Sequence, residues 1–128
     1  MTKLKMINPK ANKNNLIEKK SFAFAVRAIR LYKHLTESKH EYIISKQFLR
    51  SGTSIGANVA EAERGQSKAD FNAKIHIALK EANETDYWLR LLYASEYLNE
   101  SEFDSMHRDV NDLISILVAI CKTVQKNP

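Results

Sequence analysis

Apolar residues recur at helical spacing in four blocks, separated by short polar stretches. The first runs from about Leu16 to Thr36, with Phe22, Val26, Ile29 and Lys33 in line and Ala25 and Tyr32 beside it. Asn15 is placed to cap it, with Glu18 three residues on in a capping-box arrangement. Arg27, Arg30 and His34 share another face. The second block runs from about Glu41 to Arg64, its stripe being Ile44, Phe48, Ser51, Ile55, Asn58 and Ala62. Gly52 and Gly56 fall inside it, each costing about 1 kcal/mol against alanine. The stripe keeps its phase across them, which predicts one helix whose small residues let a neighbour approach closely. Gly65 supplies a stop. The third block opens at Ser67 with Asp70 three residues on, runs to about Leu98, and aligns Phe71, Ile75, Ala78, Ala82, Leu89 and Leu92. Ser101 and Asp104 repeat that opening for the fourth. There Phe103, Met106, Val110, Leu113, Leu117, Ile120 and Val124 form a heptad seam.

Four amphipathic helices with short loops predict an all-α, up-down-up-down four-helix bundle. Residues 113–121 are apolar nearly all round, with Ile116 and Val118 off the seam. A helix apolar on every side must be covered on every side, which predicts a subunit interface at Ile116 and Val118, and hence a homo-oligomer.

Composition narrows this picture. A chain of 128 residues fits one domain, and three glycines with two prolines leave little material for the turns of an all-β fold. One cysteine excludes an intramolecular disulfide framework and fits a reducing, cytoplasmic setting. No apolar run reaches membrane-spanning length, and no secretory h-region follows the first lysines.

The net charge of +5 is localised: residues 1–20 carry six lysines against Glu18, and the remainder is neutral. Residues 1–15, Lys/Asn-rich and without apolar periodicity, read as a basic flexible arm on a bundle domain spanning 16–128. Lys3, Lys5, Lys10, Lys13, Lys19, Lys20, Arg27, Arg30 and Lys33 are the candidate nucleic-acid contacts, a net +8 over residues 1–36. Residues 96–112 are the opposite, six acids against Arg108.

Chemistry-bearing patterns are sparse. Glu37-Ser-Lys-His40 is the one Glu-x-x-His match, where a di-iron bundle needs two such pairs, and it falls in a predicted loop. Asp104-Ser-Met-His107 is a looser relative, and the histidines and Cys121 are too scattered for zinc. Phosphate-loop, dinucleotide and nucleophile-elbow motifs are missing. No metal, cofactor or catalytic residue is expected, and the protein reads as a non-enzyme. Polar residues on the apolar stripes predict a paired network of Arg50, Ser54, Asn58, Glu61, Glu81 and Glu84 that fixes helix register, because buried charges must be paired. The aromatic cluster Tyr87, Trp88, Tyr93 and Tyr97 could stack bases, but its helical spacing beside Leu89, Leu91 and Leu92 favours packing.

Residues 47–62, Gln-Phe-Leu-Arg-Ser-Gly-Thr-Ser-Ile-Gly-Ala-Asn-Val-Ala-Glu-Ala, resemble the pattern of the four-helix-bundle 23S rRNA intervening-sequence protein family. So do Ser67-Lys-Ala-Asp-Phe71 and residues 77–92, Ile-Ala-Leu-Lys-Glu-Ala-Asn-Glu-Thr-Asp-Tyr-Trp-Leu-Arg-Leu-Leu. Glu61-Ala62 departs from a common Glu-Gly, and Lys80-Glu81 from a common Gly-Ser. The resemblance implies a bacterial protein, often encoded within ribosomal RNA gene inserts, that assembles as a homopentamer and has no established catalytic activity. It also implies similarity in fold to the accessory variability proteins of diversity-generating retroelements, which bind nucleic acid and a reverse transcriptase.

The function expected is a non-enzymatic oligomeric scaffold that binds RNA or DNA through phosphates. The alternative is a protein–protein adaptor presenting the acidic 96–112 surface to a basic partner.

Overall fold

The computed structural model describes residues 9–126, which form four helices: α1 (Pro9–Glu37), α2 (Ile44–Glu63), α3 (Lys68–Ala94) and α4 (Glu100–Lys126). Each helix packs on its neighbours in chain order and α1 closes the ring on α4, with no diagonal α1–α3 or α2–α4 contact. Side-chain partners run in opposite directions along every adjacent pair, so the bundle is up-down-up-down.

α1 begins at Pro9, earlier than the cap at Asn15 predicts, and proline at a first helical position has its φ pre-set. Residues 9–15, expected in the flexible arm, therefore have helical backbone, and the rest of that arm, with Lys3 and Lys5, lies outside the described residues. α2 runs unbroken through both glycines, as its phase predicts. A Cβ on Gly52 would sit 3.2 Å from Ala28 Cβ, and one on Gly56 would sit 3.3 Å from the Ser21 carbonyl oxygen. The glycines thus let α1 and α2 approach closely, and a larger residue at either position would push its neighbour back by a few tenths of an ångström.

The helix starts differ in instructive ways. Ser67 caps α3 by accepting from the Asp70 amide at 3.1 Å, as expected. α4 is capped two residues earlier than expected, by Asn99 and Glu102 rather than Ser101 and Asp104. Asn99 Oδ1 accepts from the Glu102 amide at 2.8 Å, and Glu102 Oε1 accepts from the Asn99 amide at 2.9 Å, a reciprocal capping box. Ile43, at the cap position of α2, has no side-chain acceptor. Glu41 acts in its place from within the loop, accepting from the Ile43, Ile44 and Ser45 amides at 3.2, 3.0 and 2.6 Å. α3 ends with Glu96 in the left-handed region, φ 69°, while Glu96 N and Tyr97 N return to the Tyr93 and Leu92 carbonyls. That is a Schellman closure, usually built on glycine.

The core holds Phe48, Ile55, Val59 and Ala62 from α2, Ile75, Ala78, Ala82, Leu89 and Leu92 from α3, and Met106, Val110, Leu113, Leu117 and Ile120 from α4. These follow the expected stripes. α1 does not. It buries Ile17, Ser21, Phe24, Ala28 and Leu35, with Leu31 packed against the core, whereas Phe22 is 72% exposed and Ile29 43%. The line Phe22–Val26–Ile29–Lys33 is its outer face. Both lines have heptad spacing, and the buried one is selected by fit: Ser21 and Ala28 are small enough to enter the notches left by Gly56 and Gly52. Cys121 is buried, and burial pushes its thiol pKa up.

Candidate functional site

The basic residues of α1 fall into two groups. Lys20 pairs with Asp112, and Arg27 with Asp109 and, at 2.7 Å, the Ser105 hydroxyl. His34 Nε2 lies 3.5 Å from Glu102 Oε2. Lys20, Arg27 and His34 are spaced by seven residues, so the three pairs form a charged seam along α1 and α4. The two charge runs that the sequence offers to separate partners are thus joined within the chain at Lys20–Asp112 and Arg27–Asp109. Lys19, Arg30 and Lys33 remain exposed and carry no ion pair among the described residues. Lys10 and Lys13 lie on the helical start of α1.

Helical geometry splits the outer face of α1 lengthwise. Phe22 and Ile29 lean toward α2, where Phe22 lines a shallow groove of about 430 Å³ with Gly56 and Ala60. Glu18 and Lys19 line the same groove, while Arg30 leans toward α4, beside the charged seam. α3 carries exposed Ile77 and Tyr87 away from α1, and a partly exposed Tyr93 in its groove with α4. Ile116 and Val118, expected at a subunit interface, are half-buried inside the protomer, and Ile116 packs against the core. Among the described residues α4 exposes no large apolar side chain; the exposed ones lie on α1, on the α1–α2 loop (Tyr42 and Ile43) and on α3.

The expected polar network divides. Arg50 bridges α2 to α3 by pairing with Glu81 at 3.2 Å and with Glu84. The Trp88 indole donates to Glu84 at 3.0 Å; together with Arg50 and Lys80 it outweighs burial and holds the Glu84 carboxyl below its usual range. Ser54 and Asn58 instead donate to carbonyls of their own helix, Arg50 O at 2.6 Å and Ser54 O at 2.8 Å. Glu61 pairs with Lys74 at 2.7 Å on the surface. The sequence reading missed the buried part of this seam: Thr85 Oγ1 lies 2.9 Å from Ser51 Oγ and 2.7 Å from the Glu81 carbonyl. The gap between Ala82 and Leu89 on the α3 stripe, filled by a threonine level with Ser51, was the available signal. Among the described residues no three potential metal ligands converge; Glu37 and His40 are both exposed, and His107 faces Asp86 at 2.9 Å.

A family model of the 23S rRNA-intervening sequence protein matches residues 13–119, most of the chain. The chain belongs to this family. A solved structure from Bacteroides thetaiotaomicron, described as a protein of unknown function from the S23 ribosomal protein family, is 51% identical. The match covers 86% of this chain and 98% of that one, with a TM-score of 0.85. No protein among those with curated functions matches.

The stretches that carry the intervening-sequence resemblance, 47–62 and 77–92, lie on α2 and α3. Between them they supply Arg50, Ser51, Gly52, Thr85 and Trp88, the components of one seam. Glu81 places a carboxylate in the Arg50 clamp, and Ala62 a methyl in the buried core. No described helix is long and apolar enough to cross a membrane.

Proposed function

We propose that this intervening-sequence family member is a non-enzymatic, homo-oligomeric scaffold, a pentamer as the resemblance implies, that holds RNA or DNA by its phosphates. The observation that carries the nucleic-acid reading is the unpaired cationic strip of Lys19, Arg30 and Lys33 on the outer face of α1. No described carboxylate forms an ion pair with it. Lys20 and Arg27 contribute less, because Asp112 and Asp109 already hold them.

Apolar surface on α1 and α3, diagonal corners of the bundle, favours a heterologous contact in which one protomer's α1 strip meets the next protomer's α3 face. Such contacts close into rings when the rotation permits. The Phe22 and Ile29 strip would then serve assembly, with Arg30 left open on the side toward α4. Repetition of a weak phosphate contact around a ring raises avidity without any new contact.

The test is binding to structured RNA across a salt series with the oligomer's mass measured in parallel. Log affinity falls with log salt by about 0.9 per phosphate neutralised on a duplex. The expected result is a steep, sequence-blind slope that flattens in the Lys19→Ala, Arg30→Ala, Lys33→Ala variant. An intact oligomer that fails to bind even at low salt overturns the nucleic-acid reading.

A further inference from the structure

Three aromatic rings are stacked across the groove between α3 and α4. Tyr93 and Phe103 lie 4.5 Å apart at 13°, and Phe103 and His107 lie 4.7 Å apart at 18°. The far end of this ladder lies against Asp86, whose Oδ1 has no hydrogen-bond partner. His107 Nε2 sits 2.9 Å from Asp86 Oδ1, and Asp86 Oδ2 accepts from Arg90 Nε at 3.1 Å. The near end is open: Tyr93 is 37% exposed and borders a cleft of about 500 Å³ at the end of the bundle where α1 stops and α4 starts. His34, Lys39, Glu96, Asn99 and Glu102 complete its wall.

These groups are only partly committed. Asn99 Oδ1 and Glu102 Oε1 are taken by the capping box, which leaves the Asn99 amide nitrogen free to donate. Glu96, fixed in a left-handed turn, and Lys39 have no ion pair among the described residues. His34 Nε2 is shielded from solvent without a hydrogen-bond partner, since Glu102 at 3.5 Å is too distant for one. The volume lies within the ordinary range of small-molecule sites, about 300–1,000 Å³.

We propose that this cleft accepts an unpaired purine base, which stacks on Tyr93 as the fourth plane of the ladder. Its polar edge meets the Asn99 amide and the Glu96 carboxylate, one donor and one acceptor, and a 5′-phosphate meets Lys39. Sequence-tolerant stacking of single bases on aromatic faces is how proteins hold unpaired strands. The inference extends the nucleic-acid reading from phosphates to bases, and it depends neither on the ring nor on the N-terminal lysines. The purine can arrive as a mononucleotide or as an unpaired residue of a strand.

The probes are AMP, adenosine, ribose 5-phosphate and a short oligoadenylate, titrated into the full chain and followed by amide chemical shifts. AMP is expected to move the amides of Tyr93, Glu96 and Asn99 through its ring current, and ribose 5-phosphate to leave them in place. Tyr93→Leu, which keeps an apolar contact on Phe103, is expected to weaken AMP roughly 5- to 150-fold, the range that loss of one stacked base gives. Lys39→Ala, on an exposed loop, is expected to weaken AMP and spare adenosine. Oligoadenylate bound only through the α1 cations would leave the cleft amides unmoved, and that outcome overturns the cleft while sparing the scaffold. Ribose 5-phosphate binding as well as AMP, or AMP insensitive to Tyr93→Leu, also overturns it. AMP in the cleft of a chain that binds no structured RNA would uphold this inference and sink the scaffold instead.

Discussion

Replacing Glu41 tests how the loop between α1 and α2 is held. Its carboxylate is only 7% exposed and accepts three amide hydrogens at the start of α2, where Ile43 offers no side-chain acceptor. Glu41→Ala leaves those amides without a protein partner. Loss of a helix cap costs about 0.5–2 kcal/mol, and hydrogen bonds to a charged group lie at the upper end of the general range. The expected loss is about 2 kcal/mol, or roughly 8 °C in Tm for a chain of this length. Glu41→Gln keeps one acceptor oxygen but no charge, and should lose about half as much. Burial pushes the Glu41 carboxyl up, but the Ile44, Ser45 and Ile43 amides outweigh it, so the folded pKa is lowered. The stabilisation is therefore fully present above the unfolded value, about 4.3, and disappears as pH falls through the folded one. Urea denaturation of wild type and Glu41→Gln should show a constant gap near neutral pH that closes in acid. A gap that persists unchanged in acid, or no gap at neutral pH, would refute the charged cap.

Three further outcomes are expected. Gly52→Ala should destabilise by about 1 kcal/mol despite alanine's better helix propensity, because its methyl meets the rigid Ala28 methyl at 3.2 Å; a rise in urea midpoint would mean that α1 stands further off. Asp109→Asn with Asp112→Asn should cost no more than about 1–2 kcal/mol, since these partners are partly exposed, and should delay elution from heparin by freeing Arg27 and Lys20. Unchanged elution would mean that the seam does not restrain those cations. Phe22→Ser should lower the sedimenting mass while helicity by circular dichroism is kept, and an unchanged mass would remove the α1 strip from the interface.

α2 and α3 could be read from the sequence because one line of each was dominantly apolar. α4 could be read because its heptad seam runs the length of the helix, even though residues 113–121 are apolar nearly all round. α1 carries apolar residues all round between Ser21 and Tyr32, and size favours Phe22, Val26 and Ile29 over Ser21 and Ala28. What decides the matter is the partner helix, whose glycines accept only small residues, and that information lies thirty residues away in the chain. A hint was present, since the expected stripe ended on Lys33 whereas Ile17, Phe24, Leu31 and Leu35 carry no charge. The Arg50–Glu81–Glu84 clamp was legible because charges on an apolar stripe need partners. The α1–α4 pairing was not. Opposite charges on two exposed faces have no such compulsion, and only the spatial arrangement brings them together. The Tyr93 cleft escaped for a related reason: it is assembled from the ends of α1, α3 and α4 and two loops, with no local motif.

The seven-residue spacing of Lys20, Arg27 and His34 has a mechanical consequence. If α1 slid by one heptad along α4, about 10.5 Å, Arg27 would face Asp112 and His34 would face Asp109, so two of the three pairs would re-form. The charges alone are nearly indifferent to that displacement. The notches at Gly52 and Gly56 are not, because the same slide would drive Leu35 onto Gly52. Position along α1 is thus assigned to its contact with α2, and the carboxylates of α4 act as a detachable counter-charge. A polyanion can take Lys20 and Arg27 from Asp112 and Asp109 without the helix losing its place.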